Sequence, residues 1–204
     1  GTAAFLPAYG DNTLAGTVSW MRPPVSASNA HRYKAGFAPL DLTAFGGRYL
    51  APLPAKTTVA MGLPDSDNNA QLVFALGGIG GTTADPYAPM NPGLTLRLKI
   101  GGSSSHAANT DLTTLTVTPG SGAFTGSFKL SDPNPAIPAK LTLITRSVNF
   151  YGMIIPDAGV PAGEGYFLLP RRPAPPSPPA ALQTLLTTDI LSGRVVLQKF
   201  SSTP

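Results

Sequence analysis

The sequence predicts an all-β protein: an antiparallel β-barrel or sandwich of about ten strands with Gly/Pro-rich loops and at most one short helix. Three observations predict it. Glycines and aromatics alternate through the second half, as in Gly122-x-Phe124-x-Gly126-x-Phe128, Phe150-x-Gly152, Gly163-x-Gly165-x-Phe167 and Gly193-x-Val195-x-Leu197, all at period-2 spacing. Leu94, Leu96, Leu98 and Ile100 alternate with Thr95, Arg97 and Lys99, a half-buried strand with one core face and one wet face. The acidic residues are nine Asp and a single Glu, which suits turns and caps rather than helices.

Taken in order, residues 14–21 read as the first strand, ended by Pro23-Pro24, which cannot donate ladder hydrogen bonds. Aromatics beside glycines at 31–37 and 45–49 predict short strands or irregular packing arms before Pro52 and Pro54. Residues 71–76 are a buried strand, and Gly77 to Gly81 is the loop that leaves it. After the strand at 94–100, Leu115 to Thr118 repeats the alternation, and Pro119 to Gly122 turns the chain. Phe124, Gly126, Phe128 and Leu130 then share an inner face. Further strands follow at 140–144, 147–155, 164–169 and 193–200. Residues 170–180 form a Pro-rich, extended loop, and 180–190 is the one helix candidate. The chain reads as a single domain over 1–204, or as two parts, 1–90 and 91–204.

Repeated glycines weaken strands, so they need a structural reason. Tight bends, bulges, or an aromatic from the neighbouring strand lying over bare backbone supply one. The other reading turns the aromatics outward as a sugar-stacking platform.

Composition narrows function. Gly and Pro number 22 and 23, but 42% of the chain is hydrophobic and the apolar residues alternate, so loop-rich β structure is expected rather than disorder. Charged residues are only 12%, a surface habit of secreted and cell-surface proteins. The net charge of +4 is scattered, with Arg171-Arg172 the only adjacent pair, which argues against nucleic acid as a partner. With no cysteine, disulfides, thiolate metal sites and cysteine nucleophiles are ruled out. No apolar run is long enough for a membrane span, Gly1-Thr2-Ala3-Ala4 is not the start of a signal peptide, and Gly1 without Met reads as a processed or excised chain.

Trp20-Met21-Arg22-Pro23, Tyr33-x-x-Gly36-Phe37, Gly47-Arg48-Tyr49, Gly122-x-Phe124-x-Gly126-x-Phe128, Phe150-x-Gly152, Gly165-Tyr166-Phe167 and Ser192-Gly193-x-Val195-x-Leu197 occur in that order. On these motifs the chain resembles a C-terminal β domain that ends large, multi-domain secreted proteins of environmental bacteria, often after repeat arrays. The resemblance implies an exported, adhesin-like, non-enzymatic module without catalytic residues to carry over. Its partners would be the other domains of a larger exported protein or neighbouring copies of itself. The Pro170 to Pro179 insertion is longer than that pattern.

Candidate chemistry is sparse. Asp65, Asp67 and Asn69 have the 1, 3, 5 spacing of a calcium loop, but Ala70 stands where its glycine belongs and Leu76 where its bidentate Glu belongs, so an Asx-rich turn is the expectation. His31 and His106 have no ligand-spaced companions, and Ser-His adjacency at 105–106 lacks a nucleophile elbow. Hence no metal, no cofactor and no catalytic residue is assigned. Tyr33 between Arg32 and Lys34 is the best basic-aromatic spot.

Three functions follow in order. The first is a non-enzymatic secreted or cell-surface module with a structural, adhesion or assembly role. The second is a carbohydrate- or small-ligand-binding barrel using Trp20, Tyr33, Tyr49 and Tyr151 around a cleft, with glycans as partners. The third is a polysaccharide-acting enzyme, which needs two carboxylates among Asp132, Asp157, Glu164 and Asp189 about 5 to 10 Å apart.

Overall fold

The computed structural model describes residues 13–27, 32–51, 61–79, 94–98, 104–105, 113–133, 143–155, 162–172 and 184–200. They form ten strands: β1 (Thr13–Arg22), β2 (Phe37–Gly47), β3 (Ala70–Leu76), β4 (Leu94–Leu98), β5 (Ser104–Ser105), β6 (Thr114–Val117), β7 (Ala123–Pro133), β8 (Leu143–Ile155), β9 (Ala162–Pro170) and β10 (Ile190–Lys199). β1 and β2 pair only with each other, and the rest make one antiparallel sheet in the order β5-β4-β3-β10-β9-β8-β7-β6. The all-β expectation holds.

The large sheet curls until its walls meet. Phe74 on β3 and Phe128 on β7 have ring centroids 4.8 Å apart, although β10, β9 and β8 lie between their strands in the sheet. At the two edges, the Ser104 hydroxyl of β5 donates to the Leu115 carbonyl of β6 at 3.0 Å. A side chain thus joins the edges where a backbone ladder would otherwise close a barrel. β3, from the first 90 residues, sits inside this sheet between β4 and β10.

Period-2 alternation decides what fills the curl. Phe74, Phe124, Phe128, Phe150 and Phe167 all point inward and are fully buried, and they meet mostly edge to face. Glycines make room for them. Gly126 is the cross-strand partner of Phe150, Gly152 of Phe124 and Gly193 of Phe167. At each of these three positions a Cβ would fall on the partner's ring. Large and bare positions therefore alternate around the wall, which lets a small barrel be packed solid.

Three expectations are corrected. Residues 37–47 are one 11-residue strand, not short arms, because Pro39 and Asp41 are tolerated in a strand that, among the described residues, pairs on one side only. The strands expected at 140–144 and 147–155 are the single strand β8, with 140–142 outside the described residues. The helix expected at 180–190 is a turn over its described part, since Thr187 Oγ1 accepts from the Thr184 N–H at 2.9 Å and donates to the Thr184 carbonyl at 3.1 Å. Threonine side chains here take the backbone groups that a helix would use. No helix among the described residues is long and apolar enough to cross a membrane.

Candidate functional site

The barrel wall sorts the aromatics that the sequence offered as binding residues. Because Phe150 and Phe167 face inward, their neighbours Tyr151 and Tyr166 must face outward. They are direct cross-strand partners on β8 and β9, 47% and 54% exposed, with ring centroids 6.1 Å apart and planes 37° apart. Ser147, Asn149 and Arg32 line the same groove, of about 500 Å³. Tyr166 was legible as an outward position by parity, yet its pairing with Tyr151 needed the register.

Tyr33 and Tyr49 are anchors of the β1–β2 ribbon. Tyr33 adopts φ 48°, an uncommon region for a tyrosine, and its hydroxyl shares a 2.7 Å hydrogen bond with Ser192 Oγ on β10. Tyr49, just past β2, donates its hydroxyl to the Pro119 carbonyl at 2.7 Å and lays its ring over Gly122. Gly122 has φ 72°, and a Cβ there would stand 2.7 Å from the ring. Burial raises the Tyr49 pKa above the ordinary 10.0.

Trp20 belongs to neither group. It is 52% exposed on β1 and packs edge to face with Phe37 at 5.7 Å, while Tyr33 makes a second T-shaped contact with Phe37 at 5.4 Å. So Trp20 and Tyr33 meet through Phe37, Tyr151 joins Tyr166, and Tyr49 packs on the β6–β7 turn. The four do not line one cleft. With the interior packed by phenylalanine, a ligand would bind on the outside.

The ribbon has two chemically different faces. Its register sets Gly16, Val18 and Trp20 of β1 against Ala44, Leu42 and Leu40 of β2, so one face carries no polar side chain there. The other face carries Ala15, Thr17 and Ser19 against Phe45, Thr43 and Asp41. Trp20, Leu40 and Leu42 are 52%, 50% and 42% exposed.

Two of the described carboxylates, Glu164 and Asp189, face arginines. Glu164 receives both Nε and Nη2 of Arg194, at 2.8 and 2.5 Å, and this hydrogen bond raises the Arg194 pKa further. Asp189 lies 3.7 Å from Arg171. Asp189 precedes Ile190, which pairs with Pro170, and Glu164 lies six residues before Pro170, so the two acids are about 20 Å apart along the strands. That separation exceeds glycosidase geometry. Asp157 and the Asp132 side chain lie outside the described residues.

Asn69 is committed to structure. Its buried amide donates to the Pro64 and Leu98 carbonyls at 2.9 and 3.0 Å and accepts the Leu98 N–H at 2.8 Å. With its oxygen taken by Leu98, the calcium-like triple loses its third ligand. Among the described residues no group of three or more His, Asp or Glu could hold a metal, and His31 and His106 lie outside them.

No protein-family model matches the chain, and neither a curated protein nor a solved structure matches it.

Proposed function

We propose that this chain is a non-enzymatic module of an exported protein, secreted or displayed at the cell surface, with a structural, adhesion or assembly role. The observation that carries the reading is the apolar face of the β1–β2 ribbon, which keeps Trp20, Leu40 and Leu42 about half in water. A two-stranded ribbon is marginal alone, and a face whose large apolar side chains stand about half in water gains from being covered. The low charge of the chain and its resemblance to terminal domains of secreted proteins fit an exported setting.

The partner is a neighbouring copy, ribbon against ribbon. The apolar face carries no charge to repel its own image, and β1 from Thr13 to Met21 has no Pro, Lys or Asp to block edge pairing. Each half-exposed side chain still has about 1 kcal/mol to gain on burial. Association costs about 4 to 15 kcal/mol, so self-association of free chains is weak and becomes firm only where copies are tethered. The test is concentration-dependent self-association read at Trp20 together with light scattering.

A further inference from the structure

Away from the ribbon's apolar face, the outer wall of the barrel carries a second feature that the assembly reading does not use. We propose that the groove over β8 and β9 binds an acidic polysaccharide, with Tyr151 and Tyr166 as its stacking platform and Arg32 as its contact to the polymer's carboxylates.

Tyrosine rings present an apolar face and a polar tip, which suits a pyranose ring that has a C–H face and a hydroxyl rim. The two ring centroids are 6.1 Å apart with planes 37° apart, so the pair offers two neighbouring aromatic surfaces on the outer wall. Ser147 and Asn149 stand on the same outward side of β8 as Tyr151, at alternate positions about 7 Å apart. They give the groove a row of neutral hydrogen-bonding groups beside the rings. Leu168, Pro170 and Ile190 extend the apolar lining beside the rings, and with the amide, hydroxyl and guanidinium groups they make an amphipathic surface suited to the C–H faces and hydroxyl rims of a sugar chain.

Charge selects the kind of sugar. Arg194, the cross-strand neighbour of Tyr166, is neutralised by Glu164, and Arg171 lies by Asp189. Arg32, on the β1–β2 connection, lines the groove and has no acidic partner among the described residues. A guanidinium placed beside a stacking platform favours a polymer bearing carboxylates over a neutral one.

The test is affinity electrophoresis of the whole chain in gels containing polygalacturonate, alginate or neutral dextran, followed by titration with the polymer that retards it. Retardation by an acidic polymer, weakened by salt and absent with dextran, is expected. Tyr151→Ala and Tyr166→Ala should each lower affinity about tenfold, while Tyr166→Phe stays within about twofold. Arg32→Gln, in an exposed connection, should remove the preference for acidic polymer without changing the melting curve, and keeps the question open to test if a tyrosine variant misfolds. No retardation by either acidic polymer overturns the proposal, as does equal retardation by dextran. Tyrosine-dependent binding of a Pro-rich peptide in place of the polymers also overturns it.

Discussion

The ring of Phe167 on β9 lies over the bare Cα of Gly193, its direct antiparallel partner on β10. The same ring also meets those of Phe74 on β3 and Phe128 on β7, each two strands away in the sheet, at 5.9 and 5.5 Å. One aromatic thus joins its own strand to three others because its neighbour has no side chain.

Gly193→Ala should therefore destabilise the fold although alanine is small and apolar. Its Cβ would enter the space that the Phe167 ring occupies, an overpacking worth about 1 to 3 kcal/mol. Urea unfolding measures the loss. In a Phe167→Leu background the same substitution should cost distinctly less, since the two positions share one volume. Equal penalties in both backgrounds would show that the ring is not the obstacle.

Asn69→Ala removes three hydrogen bonds and leaves the Leu98 backbone buried without partners. The expected loss is about 2 to 4 kcal/mol, well above that of a surface turn residue. Thermal unfolding of the variant checks it, and addition of calcium should leave the melting curve of the parent unchanged. A rise in melting temperature with calcium would restore a role in metal binding.

Tyr49 gives the fold a pH dependence at the alkaline end. Its folded pKa is raised by burial, so below 10.0 both folded and unfolded chains keep the proton and nothing is lost. Above 10.0 the unfolded chain releases its proton first, and the stability contributed by the neutral phenol is lost as pH rises through the folded pKa. Tyr49→Phe should be less stable by about 1 kcal/mol at neutral pH, from the missing bond to Pro119, and should show a shallower alkaline decline. Urea midpoints at about pH 8 and about pH 10.5 separate the two effects.

The barrel wall was legible in the sequence because its signal is local. Phe124, Phe128 and Leu130 on one parity, with Gly126 between them, state an inner face before any pairing is known. Tight bends, bulges or an overlying aromatic were all open as reasons for the glycines, and Phe150 over Gly126 and Phe124 over Gly152 are the third. β2 was not legible. Pro39, Asp41 and the Gly46-Gly47 pair are breakers in a central strand and become acceptable only in a ribbon free on one side. The grouping of aromatics was equally hidden, since Tyr151 and Tyr166 come together through a register that the 14 intervening positions do not encode. Tyr33 and Tyr49 gave no sign of being anchors, because their partners, Ser192 and Pro119, lie 159 and 70 residues away.

The account stands or falls on whether the apolar ribbon face is an interface between copies, and Trp20, the chain's only tryptophan, reports on it directly. The measurement is Trp20 emission with parallel light scattering from about 1 μM to about 1 mM, repeated on Leu42→Lys, which places a charge in that face. The account predicts a blue shift of emission that rises together with particle mass in the parent and is absent in the variant. Emission that stays at its water-exposed position at every concentration, with a monomer mass throughout, would contradict it.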